Sequence, residues 1–171
     1  MVLFTAFKPF IASAQFSEAE IKAVYIEKLT RFIDWPAETH MADTIQPFIL
    51  GVIGDHTFDT ILNEVFSVLK IKNKKVEIRY LTNFKNIENC NLLFIAKSEK
   101  QSLPEILNYT VGHPILTISD TQGFAEKGVL INFYIAENKM RFEINQAAVK
   151  KSQLMFDSML LNNARIVNRV E

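Results

Sequence analysis

The hydrophobic positions of this chain change their period several times, and each change marks an element. Ser17-Glu18-Ala19-Glu20 has the pattern of a capping box, a serine that accepts from the backbone three residues on and a glutamate that reaches back. After it Ile21, Val24, Tyr25, Leu29, Phe32 and Ile33 follow helical spacing. Trp35-Pro36 stops this helix, because the residue before proline avoids helical angles. Phe48 to Ile53 is an unbroken apolar run and reads as a buried strand. Gly54-Asp55 then supplies a turn and cap for a second helix, which carries Phe58, Ile61, Leu62, Val65 and Leu69 on one face. Val76, Ile78 and Tyr80 alternate with charged residues, the mark of a half-exposed outer strand.

Leu92 to Ala96 is continuous and apolar, as suits an inner parallel strand. Ser98-Glu99-Lys100-Gln101 repeats the capping-box pattern ahead of Leu103, Ile106 and Leu107. Pro104 is tolerated only in a first turn, which moves the start of that helix toward Leu103. Pro114 to Ser119 is a further strand. Val129–Ile135 and Met140–Ile144 form a hairpin through Ala136-Glu137-Asn138-Lys139, where Asn138 tolerates left-handed angles. Asn145 can cap a helix from Gln146, which breaks near Ser152–Phe156 and restarts at Asp157 or Ser158 through Leu160 and Leu161. The alternation predicts an α/β fold: a single layered domain with a mixed β-sheet flanked by helices and a C-terminal β-hairpin.

Composition narrows the partners more than the fold. The chain has 171 residues, close to the size of one domain, and 49% of them are hydrophobic, which argues against general disorder. Nineteen basic and nineteen acidic residues cancel, so the surplus that phosphate binding calls for is missing. Lys72-Asn73-Lys74-Lys75 reads as a solvated turn between a helix and a strand rather than a basic stripe. Cys90 is the only cysteine, which excludes an internal disulfide and a cysteine-rich zinc site; its place before Leu92 suits a small buried thiol. Residues 1–14 are expected to be a partial secretory signal, with Met1 to Phe7 apolar and Ala12-Ser13-Ala14 matching a small-x-small cleavage pattern. The folded domain is expected over residues 15–171. No later apolar run is long enough to span a bilayer.

Candidate chemistry is sparse. Gly51-Val52-Ile53-Gly54-Asp55 puts a glycine between strand and helix, but a full dinucleotide fingerprint and a phosphate-binding lysine are lacking. His40, His56 and His113 are too scattered to hold a metal, and no serine-nucleophile signature occurs. Nothing forms a catalytic set, so no enzyme, metal or cofactor is expected. Trp35 either seals the edge of the core or stacks on a ligand. Asp120 ends a strand, where it either shapes the Gly123 turn or faces the crevice in which open α/β sheets bind ligands. Between Ser119 and Asn145, Asn132, Arg141 and Glu143 stand among apolar neighbours. If Asn132 lies on the polar side of the paired strand, the three converge on a small anionic ligand. Otherwise Arg141 and Glu143, two apart on one strand face, close an internal ion pair.

These residues also carry a pattern. Phe32-Ile33-Asp34-Trp35-Pro36, Gly54-Asp55 with Phe58, and Cys90-Asn91-Leu92-Leu93-Phe94-Ile95 with Ser98 come in order. Pro114-Ile115-Leu116-Thr117-Ile118-Ser119-Asp120, Gly123-Phe124-Ala125, Gly128, Ile131-Asn132-Phe133 and Arg141-Phe142-Glu143-Ile144-Asn145 follow. In that order they resemble the YfiR family of secreted bacterial proteins. The resemblance implies a periplasmic, homodimeric regulator that binds a membrane-bound signalling protein, in the first instance a diguanylate cyclase in cyclic-di-GMP control. An alternative it also implies is a small-molecule-binding sensor module associated with a histidine kinase or another envelope system. One property does not carry over: with Cys90 alone, gating through an internal disulfide is excluded.

Overall fold

The computed structural model describes residues 17–55 and 58–168. The expected leader and His56 lie outside these described residues. Helix α1 runs over Glu18–Thr30 with the capping box complete, the Ser17 hydroxyl accepting from the Glu20 amide and the Glu20 carboxylate from the Ser17 amide. It ends sooner than the hydrophobic spacing suggests. Ile33 and Asp34 form strand β1, and Phe32 is exposed rather than on the buried helix face. The partner that turns Ile33 into strand is Phe156, far along the chain, so helical spacing could not reveal it.

Strands β2 (Phe48–Ile53), β3 (Val76–Leu81), β4 (Leu92–Ile95), β5 (Leu116–Ser119), β6 (Ile131–Ala136) and β7 (Lys139–Asn145) are joined by two helices of ordinary length. These are α2 (Asp59–Val68) and α3 (Leu103–Thr110). After β7 come α4 (Gln146–Lys151), β8 (Met155–Phe156), α5 (Ser158–Asn162) and β9 (Arg165–Val167). The main sheet has seven strands in the order β3-β2-β4-β5-β6-β7-β9. Pairing is parallel from β3 through β6, β7 turns back antiparallel, and β9 lies parallel to β7. The mixed sheet and its hairpin are as the sequence predicts, including an outer β3 and an inner β4 buried on both faces. Glu137 and Asn138 both take left-handed angles in the hairpin turn, the geometry that matches strand twist.

Each sheet face carries its own core. On one, α1 and α2 cover Phe48, Leu50, Val52, Phe94, Ile118 and Phe133. On the other, α3 and a 3-10 turn at Phe84–Asn89 cover Ile53, Leu93, Ile95 and Phe124. The second capping box is not used: Lys97–Lys100 forms a 3-10 turn without a side-chain cap, and the Ser98 hydroxyl accepts the Asp55 amide at 2.8 Å. The basic cluster is likewise not all solvated. Lys74 is buried, its ammonium donating to the carbonyls of Asp43 and His40, while Lys72 and Asn73 adopt left-handed angles. Cys90 is buried as expected, and burial pushes its thiol up to about 11, an unreactive state.

Candidate functional site

The strand order contains one reversal. From β2 the chain moves outward to β3, then crosses back to add β4 on the other side of β2. Open α/β sheets leave a crevice beyond the carboxyl ends of the strands at such a point. Here it measures about 370 Å³. Asp55 follows β2, Ala96 and Lys97 follow β4, and Asp120 and Thr121 follow β5; Phe58 and Phe94, packed at 5.3 Å, form its apolar floor. The first turns of α1 close it from above with Glu18, Ala19 and Lys22.

Lys22 organises the charge. Its ammonium is 2.6 Å from both Asp120 and Glu18. Burial disfavours that ammonium, but the hydrogen bonds and charges of Asp120 and Glu18 outweigh burial and hold its pKa above the ordinary lysine value. Thr121 is 8% exposed, and its hydroxyl oxygen has no hydrogen-bond partner among the described residues. A buried hydroxyl left unpaired costs about 1–3 kcal/mol, which a bound polar group would recover. Opposed charges, a short apolar floor and an unsatisfied hydroxyl are the parts of a small-ligand site.

A second hollow, of about 300 Å³, lies between Leu107, Ile115, Leu130 and Ala148. Its buried polar groups are already matched: Thr117 accepts the Leu130 amide, and Asn145 bonds both the Ala125 carbonyl and the Ala148 amide. The switch-point crevice is therefore the better candidate.

The residues singled out from the sequence fall in four places. Asp120 is in the crevice. Trp35 is 7% exposed, stands edge-on to Phe48 at 5.6 Å and donates its indole N–H to the Asn91 carbonyl, so its ring is built into the core edge. One side of it borders a cleft of about 290 Å³ shared with Met41 and Lys72. Asn132 and Glu143 meet across β6 and β7, the Asn132 amide donating to the carboxylate at 3.1 Å. Arg141 does not join them. It is exposed opposite Tyr134, and the guanidinium on Glu143 belongs to Arg165 of β9. Arg165 also lies over the Tyr134 ring at 4.3 Å. The expected Arg141–Glu143 pair is thus replaced by an Asn132–Glu143–Arg165 network that ties the last strand to the sheet. Glu143 is 2% exposed, so this is a lock rather than an open surface.

Lys22 and Glu18 were not legible as site residues. Their i, i+4 spacing reads as an ordinary helix ion pair, and only the docking of α1 over the end of β5 brings Lys22 to Asp120. His40 ends a 3-10 turn at a left-handed angle, and no helix among the described residues is long and apolar enough to cross a membrane.

Comparison with known proteins agrees with this architecture. A conserved domain protein from Vibrio cholerae O1 biovar El Tor superposes with a TM-score of 0.59 at 8% identity, over 89% of this chain and 60% of that one. The ABC domain in complex with L-Trp from Streptococcus pneumonia superposes with a TM-score of 0.56 at 10% identity, over 87% of this chain and 62% of that one. The chain thus spans about three fifths of the length of these structures, and the likeness is one of fold. Among curated proteins, none matches. The profile of the DUF4154 family, described as YfiR/HmsC-like, matches residues 19–165, from the first turn of α1 to the arginine that locks β9. A match over that span, on a mixed sheet with the motifs in their expected order, places this chain in the YfiR/HmsC-like family.

Proposed function

We propose that this chain is a periplasmic regulatory protein that binds and modulates a membrane-bound signalling protein, a diguanylate cyclase in cyclic-di-GMP control, and that it acts as a homodimer. The observation that carries the reading is the family match over residues 19–165, the family being one of periplasmic regulatory domains. The sequence supports it further: Met1 to Phe7 are apolar and Ala12-Ser13-Ala14 fits a small-x-small cleavage pattern. The outer face of the β1–β8 ribbon offers a contact surface, since Phe32 and Met155 are both exposed there. Gentle affinity capture of the full chain from a native envelope fraction is expected to retain a membrane signalling protein containing a cyclase domain. Recovery of envelope proteins with no signalling protein among them would count against this reading.

The switch-point crevice favours a second reading, that of a sensor module whose small ligand tunes the partner contact. Its mixed charges suit a small polar molecule, and Lys22, Asp120 and Thr121 are the residues expected to touch it. The test is a thermal-shift screen with anionic metabolites, nucleotides and amino acids, including the L-Trp held by the streptococcal neighbour. A ligand at a hundred times its dissociation constant adds about 2.7 kcal/mol, a shift of roughly 5–10 °C for a domain of this size. Asp120→Asn should abolish the shift, and Arg141→Ala should leave it intact. A shift that survives Asp120→Asn and is lost in Arg141→Ala would move the site to the hairpin.

A further inference from the structure

Strand β3 is an edge of the seven-stranded sheet, and no other strand among the described residues pairs with its outer side. A six-residue edge strand is a template for another strand unless something repels it. Its sequence is Val76-Glu77-Ile78-Arg79-Tyr80-Leu81. Charges of one sign would keep a second copy away. Here the two charges are opposite, sit two residues apart on one face, and pair with each other at 2.6 Å in the single chain. We propose that β3 pairs antiparallel with β3 of a second copy of this chain about a two-fold axis through Ile78, joining two sheets into one.

The backbone requires the axis to pass through a residue, and the charges and the strand's length choose which one. The Phe48 amide donates to the Lys75 carbonyl, and Phe48 is in register with Val76. In a parallel pair this turns the backbone groups of Lys75, Glu77 and Arg79 toward β2, and those of Val76 and Ile78 outward. An axis through Ile78 therefore places two outward-facing residues opposite each other, where they exchange two hydrogen bonds. With Ile78 on the axis, Glu77 of one copy faces Arg79 of the other, twice by symmetry. They meet as a pair without mutual hydrogen bonds, the pair type in which side chains stand closest. Moving the axis to Glu77 would set glutamate against glutamate, and moving it to Arg79 would set arginine against arginine. An axis through Val76 would also join opposite charges, Lys75 against Glu77, but it would set Arg79 to Leu81 opposite residues 71–73, outside β3. The Ile78 axis pairs most of the strand, a form of strand addition in which the partner is the chain itself.

This inference assigns a surface to the homodimer proposed above and rests on that reading only for its stoichiometry; it uses neither the crevice nor the membrane partner. Sedimentation equilibrium on the full chain tests it. Glu77→Arg and Arg79→Glu should each raise the dimer dissociation constant roughly tenfold or more, because two opposite-charge pairs become like-charge pairs. The double swap Glu77→Arg/Arg79→Glu should restore it, and so should an equimolar mixture of the two single variants, in which every cross-strand pair is again of opposite sign. The ion pair is on the surface, so thermal melts of the monomeric fraction should show each variant folded. Hydrogen exchange adds a readout of the backbone pairing: the Ile78 amide should slow as protein concentration rises. A dimer indifferent to both single substitutions, with an Ile78 amide that exchanges at a concentration-independent rate, overturns the surface and leaves the homodimer standing. A chain that stays monomeric at the highest concentration reached overturns both.

Discussion

Arg165→Met lowers the unfolding free energy by about 2–4 kcal/mol in urea denaturation. The reason is asymmetry in burial. The Glu143 side chain is 2% exposed, while that of Arg165 is 55% exposed. Removing the arginine strands a buried carboxylate with a single amide donor from Asn132, and a buried charge without its partner is among the few large single-site penalties. The value lies below that for a wholly buried pair because water reaches the guanidinium side and screens the interaction. Glu143→Gln, by contrast, frees an arginine that can turn to solvent and keeps an acceptor for Asn132, so it costs about 1 kcal/mol. The double variant Glu143→Gln/Arg165→Met should then sit near Glu143→Gln alone, a coupling of about 2–4 kcal/mol in a double-mutant cycle. Additive losses would mean that Arg165 acts through its stacking on Tyr134 rather than through charge. The damage should be local as well as global: β9 is held to β7 over three residues, and its amides should exchange faster in Arg165→Met.

Gly54→Ala is the other large effect, about 2–5 kcal/mol of stability or roughly 5–15 °C in Tm. Gly54 has φ +106°, a backbone state that L side chains rarely adopt. An added Cβ would also lie 2.5 Å from the Ser98 hydroxyl oxygen and 2.8 Å from the Ala96 Cβ. Ser98 is the group that holds the Asp55 amide, so the clash displaces the bond between the ends of β2 and β4. Those two ends flank the crevice, and any ligand response should weaken with the fold. Gly123→Ala is the control. Gly123 has φ +84° but open space around it, so it isolates the backbone term at about 1 kcal/mol. Equal losses at the two sites would show that contact with Ser98 and Ala96 contributes nothing.

How much was legible follows the range of the forces involved. Local signals carried the most. The capping box at Ser17, the Asn145 cap, the Asp157 restart, the alternation of β3 and the unbroken run of β4 all rest on contacts within a few residues or on burial of a whole face. They determined the α/β class, the mixed sheet and the C-terminal hairpin, and their order carried the family pattern. Strands β1, β8 and β9 escaped because two or three residues have no period of their own and become strand only through distant partners. The capping box at Ser98 failed for a related reason: its pattern is a local option, and the Asp55 amide, brought in by parallel pairing, took the hydroxyl instead.

The candidate site divides along the same line. Asp120 could be named because a carboxylate at a strand end has meaning in any open parallel sheet. The pairing of Asn132 with Glu143 could be suspected because hairpin register is set by a short turn. Arg141 was the nearest arginine to Glu143 in sequence, and strand alternation gave both the same face. It could not tell that β9 would bring Arg165 to the carboxylate first. Lys22 lies on the first helix and Asp120 at the end of the fifth strand, and no pattern along the chain links them. Sequence alone determined which kinds of element form and in what order, because those choices are set by local geometry and burial. Only the tertiary structure decided which charges meet, because an ion pair needs two groups within a few ångströms and the chain brings these together only when the layers close.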